Sequence, residues 1–181
     1  QDAYGTARET AAEQVDNILQ GLNQISDVGR APKDIKPLDM NDLVDSVLGL
    51  LRHKLKQQRA YIIKDDLPSC LADHAQLKEV FINLIDNAIK YRSPDRKPIV
   101  HISASTQQSS TVYVVSDNGR GMSPEQKQKI FDAFYRADSE TDGQGLGLTI
   151  VAKTLQRNNG KIWLESEPAK GTKFYIQLPC S

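Results

Sequence analysis

Asn83-Leu84-Ile85-Asp86-Asn87-Ala88-Ile89-Lys90-Tyr91 is the stretch on which the reading of this chain turns. Leu77, Phe81, Leu84 and Ala88 are spaced four, three and four, which predicts a helix over residues 74–92 with that stripe against a sheet. Asn83, Asn87 and Lys90 fall on a neighbouring stripe. Asparagine is a poor helix-interior residue because its amide competes for backbone hydrogen bonds. Two of them one turn apart need a reason. An amide oxygen suits Mg2+, a hard cation that keeps several waters and binds substrate phosphates. Asn87 is then the candidate metal ligand. Lys90, one turn on, is a point charge for phosphate oxygens, and Tyr91 is placed to line a nucleotide site. The plainer reading is an exposed polar stripe with an Asp86–Lys90 pair at i, i+4.

Three more motifs come after it in order. Asp117-Asn118-Gly119-Arg120-Gly121 comes directly after a predicted strand. Gly119 and Gly121 permit positive φ and close approach of backbone to a ligand. A carboxylate at that place can accept from the adenine amino group, where guanine offers an acceptor instead. Asp117 is thus a candidate selector of ATP over GTP, with Met122 as a soft apolar contact. Ordinary turns use the same residues. Gly143-Gln144-Gly145-Leu146-Gly147-Leu148 opens a predicted helix over residues 145–158 and leaves N–H groups facing an anion. It is similar to a dinucleotide fingerprint, but no strand precedes it. There is no Gly-x4-Gly-Lys-Ser/Thr run. Gly171-Thr172-Lys173-Phe174 begins the last predicted strand. Thr172 either supports the base, through Asp117 or a water, or is a plain hairpin end. Residues 137–144 are polar and read as a mobile lid over a triphosphate, with Asp138, Glu140 and Asp142 turned to solvent.

Upstream, residues 3–29 read as a helix with a coiled-coil-like seam of Val15, Ile18, Leu22, Ile25 and Gly29. The alternative is an amphipathic helix packed on its own domain. Pro32 and Pro37 set it apart from the rest of the chain. A short strand at residues 35–39 leads to a helix over 41–59, with Asn41 as N-cap and Leu43, Val47, Leu50 and Leu51 as its buried stripe. Residues 61–64 and 68–72 read as extended, and Asp73 caps the next helix. Residues 98–105 and 111–116 read as paired strands, and 161–165 and 172–178 as a closing hairpin. Trp163 and Phe174 read as core. The expected fold is an α/β (α+β) two-layer sandwich, its mixed, mainly antiparallel sheet covered on one face by helices and preceded by one long helix.

Composition narrows the partners. Lys plus Arg and Asp plus Glu both number 23, so no broad basic field exists and nucleic acid is not expected. No apolar run approaches the ~20 residues of a membrane helix. The 181-residue chain does not begin with Met, so it is expected to be a piece of a longer protein. Cys70 and Cys180 have no metal-type spacing and fit a reducing compartment.

The ordered motifs resemble the catalytic, ATP-binding domain of sensor histidine kinases, which share an ATP fold with gyrase, a mismatch-repair ATPase and heat-shock chaperones. The resemblance covers roughly residues 36–179. Ile130-Phe131-Asp132-Ala133-Phe134-Tyr135-Arg136 resembles the phenylalanine box of the kinase branch. By that resemblance Arg136 meets the γ-phosphate, and Phe131 and Phe134 anchor the lid. The candidate catalytic residues are Asn83, Lys90 and Arg136. Hydrolytic relatives carry a water-activating glutamate where this chain has Asn83, and an amide is no general base. Glu79, a further turn away, is expected out of reach. Transfer to another nucleophile therefore suits the site better than hydrolysis, and a nucleotide binder without chemistry is the third reading.

In this family the nucleophile is a histidine on a two-helix dimerisation hairpin. His53, His74 and His101 lack its setting, since Lys54 stands where an acid belongs and no Pro comes after it. Residues 1–30 resemble only the second hairpin helix, and residues 31–181 the ATP-binding domain. The resemblance implies ATP as substrate, ADP as product and Mg2+ as cofactor. It implies as partners a phosphoacceptor histidine of the parent protein, a response regulator and a second copy in a homodimer. The expected location is cytoplasmic.

Overall fold

The computed structural model describes residues 3–133, 135–137 and 145–181, with side chains from residue 11 on. The chain runs α1 (Ala3–Arg30), β1 (Ile35–Leu38), α2 (Met40–Leu50), α3 (Arg52–Gln57), β2 (Tyr61–Lys64), β3 (Cys70–Asp73) and α4 (His74–Lys90). It continues through β4 (Ile99–Gln107), β5 (Ser110–Asp117), α5 (Pro124–Lys129), α6 (Gly147–Arg157), β6 (Lys161–Glu167) and β7 (Gly171–Pro179). Gly143 and Phe134, and residues 138–144 of the expected lid, lie outside the described residues.

One sheet has the order β2-β4-β5-β7-β6, and β1 pairs with β3 in a separate two-stranded sheet. Only β2–β4 is parallel; β4–β5, β5–β7 and β6–β7 are antiparallel. This is the expected sandwich. The α4 stripe is buried as its spacing requires: Leu77, Phe81, Leu84 and Ala88 pack inward, joined by Val80, Ile85 and Ile89. Phe81 meets Tyr113 of β5 edge-on, with ring centroids 6.1 Å apart. Asp73 caps α4 by accepting from Gln76 N at 3.0 Å.

Three expectations are corrected. The N-cap of α2 is Asp39, whose side chain accepts from Asp42 N at 3.1 Å. Asn41 instead accepts from Leu67 N and Lys64 Nζ, both at 3.0 Å, and ties the approach to β3 onto α2. The helix breaks at Leu51, so its buried stripe is Leu43, Val44 and Val47, while Leu50 is 62% exposed. Trp163 lies on the open face of β6, 38% exposed and stacked on Tyr175, because Ile162 and Leu164 take the inward register. Phe174 is core, as expected.

The C-terminal end of α1 packs on α6. Arg157 donates to the carbonyls of Val28 and Ala31, and Lys33 Nζ donates to Arg157 O at 2.9 Å. Further toward the N-terminus the seam is uncovered: Val15, Ile18, Leu19 and Leu22 are 45–55% exposed. No helix among the described residues is long and apolar enough to cross a membrane.

Two glycines test how tightly the fold is specified. Gly171 has φ +105, and a Cβ there would lie 2.0 Å from Asp117 O. Gly49, in α2, has nothing within 4 Å of its missing Cβ. Gly171→Ala is expected to cost roughly 2–3 kcal/mol or more. Gly49→Ala is expected to add about 0.5–1 kcal/mol. Urea denaturation of both variants checks the opposite signs.

Candidate nucleotide site

Two adjoining cavities open beside α4. The smaller, about 330 Å³, is lined by Asp117, Gly121, Met122, Thr172 and Phe174. The larger, about 640 Å³, is lined by Asn83, Lys90, Arg136 and the start of α6 at Gly145, Leu146 and Gly147. Asn87, Tyr91, Ile130 and Leu148 line both, so they form the passage between the two. A flat heterocycle suits the smaller, more apolar space, and a chain of phosphates suits the larger.

Asp117 ends β5 at the floor of the smaller cavity. Its Oδ1 accepts from Gly119 N at 2.8 Å and from Thr172 N at 3.3 Å. Both protein donors use that one oxygen, so Oδ2 is left for a ligand donor. Burial pushes the carboxyl up to about 6, against the lowering by those two N–H groups and by the Arg96 charge.

Thr172 supports Asp117 through its backbone, not its hydroxyl. Its Oγ1 pairs with Ser166 Oγ at 2.8 Å. Ser166 Oγ donates its one hydrogen to Gly171 O at 2.9 Å and accepts from Met122 N at 2.8 Å. Thr172 must then donate to Ser166, which leaves Thr172 lone pairs to face the cavity. Ser166 is a site residue the sequence reading missed; a serine just past a predicted strand carries no signal of its own, and β6 in fact runs on through it to Glu167.

The glycines of the turn serve protein packing. A Cβ on Gly121, at φ +69, would lie 1.9 Å from Glu167 O. One on Gly119 would lie 2.5 Å from Tyr91 O, and Gly119 lines neither cavity. The expected close approach is therefore to the β6–β7 hairpin and to the end of α4.

On α4, Asn83 Nδ2 donates back to Glu79 O at 3.0 Å. The Asn87 side chain makes no hydrogen bond to the described residues, although it lines both cavities. An unengaged amide oxygen at the junction fits a hard cation that also touches phosphate. Among the described residues no three His, Cys, Asp or Glu side chains gather as an alternative metal site.

Lys90 lies 3.3 Å from Asp86, the i, i+4 pair of the plainer reading, and Lys54 of α3 also pairs with Asp86. Lys54 was not foreseen, because residues 54 and 86 meet only in the fold. The start of α6 has no side-chain cap, so its first N–H groups are not taken up by a capping side chain. Glu79, expected out of reach, lies on the wall of the larger cavity a turn beyond Asn83, together with Gln24, Asp27 and Val28 of α1.

Comparison with known proteins agrees with this geometry. The profile of the histidine kinase-, DNA gyrase B- and HSP90-like ATPase family matches residues 72–181, and the chain belongs to that family. It is 31% identical over 172 residues to the methanogenesis regulatory histidine kinase FilI of Methanothrix harundinacea (strain 6Ac), covering 94% of this chain and 19% of that protein. The chain thus spans under a quarter of that relative. Full-length ShkA in complex with AMPPNP superposes with a TM-score of 0.77 at 25% identity, covering 99% of this chain and 38% of that one. The catalytic domain of histidine kinase ThkA superposes at 0.69 with 27% identity, covering 81% of this chain and 95% of that one. The fold is that of histidine kinase catalytic domains.

The raised Asp117 value has a stability consequence. Its folded pKa, about 6, exceeds the ordinary 3.8, so ionisation opposes folding. The penalty is absent below the unfolded value, grows through the window between the two, and is complete above about 6. Asp117→Asn should therefore raise the melting temperature of the ligand-free chain at pH 8, with the gain shrinking toward pH 4. Paired thermal melts across that range check it.

Proposed function

We propose that this chain is the ATP-binding catalytic part of a sensor histidine kinase, donating the γ-phosphoryl group of ATP to a histidine outside the chain. The observation that carries this is the unengaged Asp117 Oδ2 in the smaller cavity, joined through Asn87 to a second cavity bearing Lys90 and Arg136. Oδ2 accepts from the adenine amino group; guanine presents a carbonyl oxygen there and is refused. Met122 and Phe174 cover the base. Asn87 would hold Mg2+, which when bound offsets phosphate charge. Lys90 and Arg136 meet phosphate oxygens, and the first turn of α6 offers N–H groups to them. The acceptor imidazole nitrogen attacks the γ-phosphorus, the bond to the β-phosphate bridging oxygen breaks, and ADP leaves.

The rest of the proposal rests on the resemblance. Residues 1–30 are the second helix of a dimerisation hairpin, and the exposed seam of α1 is where a partner helix or second copy packs. A response regulator is the downstream partner, and the location is cytoplasmic.

One observation favours a second reading. Glu79 on the wall of the larger cavity is a carboxylate that hydrolysis would use as base. Asn83, one turn nearer to Asn87, argues against it.

Transfer from γ-labelled ATP decides between the readings. The chain alone should release phosphate very slowly. Added to a hairpin carrying the parent's acceptor histidine, it should give acid-labile label, which Asn87→Ala abolishes. Rapid phosphate release removed by Glu79→Gln would establish the hydrolase. Tight ATP binding with neither reaction would establish a binder. Calorimetry should show ATP preferred over GTP. Asp117→Asn should weaken ATP by roughly 10–100-fold, as expected for a lost hydrogen bond to a charged acceptor. Native affinity should fall as pH drops through about 6, where Asp117 takes up its proton.

A further inference from the structure

We propose that Arg96 is a positioning residue for adenine specificity: its guanidinium bolts the turn that carries Asp117 to the tip of the β6–β7 hairpin. The inference rests on the adenine reading above and goes beyond it to a residue that touches no ligand. Arg96 lies in the loop between α4 and β4. Its Nε donates to Asn118 O at 2.6 Å, and its Nη2 donates to Gly119 O at 2.8 Å and Ala169 O at 2.6 Å. Asn118 and Gly119 are the two residues after Asp117. Ala169 is at the hairpin tip, held at φ 65, a conformation L residues rarely adopt.

Those two segments are where Asp117 gets its donors. Gly119 N comes from the turn, and Thr172 N from the start of β7 just past the hairpin tip. If they shift apart, Oδ1 loses a donor, the carboxylate is free to rotate, and Oδ2 is no longer aimed. The planar fork reaches the three carbonyls from two separate nitrogens, so lysine, with one, is an incomplete substitute. Other bonds brace the same parts: Ala169 N donates to Arg120 O at 2.6 Å, Arg120 N to Tyr91 O at 3.0 Å and Asn118 Nδ2 to Lys97 O at 2.9 Å, and Asp117 and Thr172 are register partners of β5 and β7. The backbone therefore has enough support to stay folded without Arg96, and what Arg96 adds is the spacing between the Asp117 turn and the hairpin tip.

Arg96 also supplies an opposing charge. Of the charged groups around the Asp117 turn, Arg120 lines the smaller cavity, and Glu167 and Lys170 at the hairpin tip pair with each other. Arg96 lowers the Asp117 carboxyl against its burial.

The test compares the native chain with Arg96→Ala and Arg96→Lys. Calorimetry gives ADP and GDP affinities, and carbon-detected NMR tracks the Asp117 carboxyl titration without nucleotide. Arg96→Ala should lose roughly tenfold in ADP affinity with GDP unchanged, so that discrimination contracts. The Asp117 midpoint should move up, and Arg96→Lys should fall between native and Ala in both readouts. A folded Arg96→Ala with native discrimination and an unmoved midpoint overturns the inference, even if its melting temperature drops. If the native chain itself does not prefer ADP to GDP, the adenine reading fails first and this inference falls with it.

Discussion

One carboxylate oxygen, Asp117 Oδ1, joins its own turn to the start of β7, where Thr172 lies 55 residues further along the sequence. It collects N–H groups from Gly119 and Thr172 and leaves its twin to the cavity. That division is possible only because the turns interlock at backbone distance. Gly121 lies against Glu167 O, and Gly171 against Asp117 O, each too close for any Cβ. The glycines are thus the price of bringing β5, β6 and β7 together at the base site. The same closeness desolvates Asp117, and the strain on the charge is what makes it a strong acceptor for an incoming donor.

On the other side of the passage, α4 holds its charges in a way that leaves them usable. Asp86 pairs with both Lys90 and Lys54. Were Lys90 to turn to another anion, as the proposed function has it, Asp86 would keep Lys54 as counter-charge. Without Lys54, moving Lys90 would leave a partly buried carboxylate unpaired, which costs more than a shared one. Asn83 spends one amide hydrogen on Glu79 O of its own helix, and its Oδ1 lies beside Gly147, 3.0 Å from where a Cβ there would be.

Much of this was legible in the sequence, and the failures have physical causes. The α4 stripe was readable because a helix repeats its buried face every three or four residues, and Asp117 was readable because a strand end leading into glycines is a local pattern. Asn41 was mistaken for a cap because Asp39 and Asn41 are both good caps two residues apart, and only the tertiary bonds to Lys64 and Leu67 choose between them. Trp163 was misplaced because Lys161 to Leu164 puts apolar side chains on both faces of an edge strand, and register is decided by β7. Ser166, Arg96 and Lys54 were invisible for a common reason. Each acts on residues at least five and up to 73 positions away, through contacts that no spacing encodes.

The larger cavity also constrains how a nucleotide enters it. Among the described residues its wall carries Asp27, Glu79 and Asp86 against Lys90 and Arg136. Acids outnumber bases, and Asn87 adds a ligand atom without charge. A triphosphate placed there would meet no surplus of positive side chains among the described residues, which is why the proposed function leans on amides at the start of α6 and on a divalent cation. Two of the features that the wall brings together, Asp27 on α1 and Glu79 on α4, lie on different helices. Arg157 at the carbonyls of Val28 and Ala31 fastens the end of α1 that carries Asp27. The acids of this wall are thus split between α1 and α4, and the Arg157 bonds that hold α1 on α6 also keep Asp27 beside Glu79 in it.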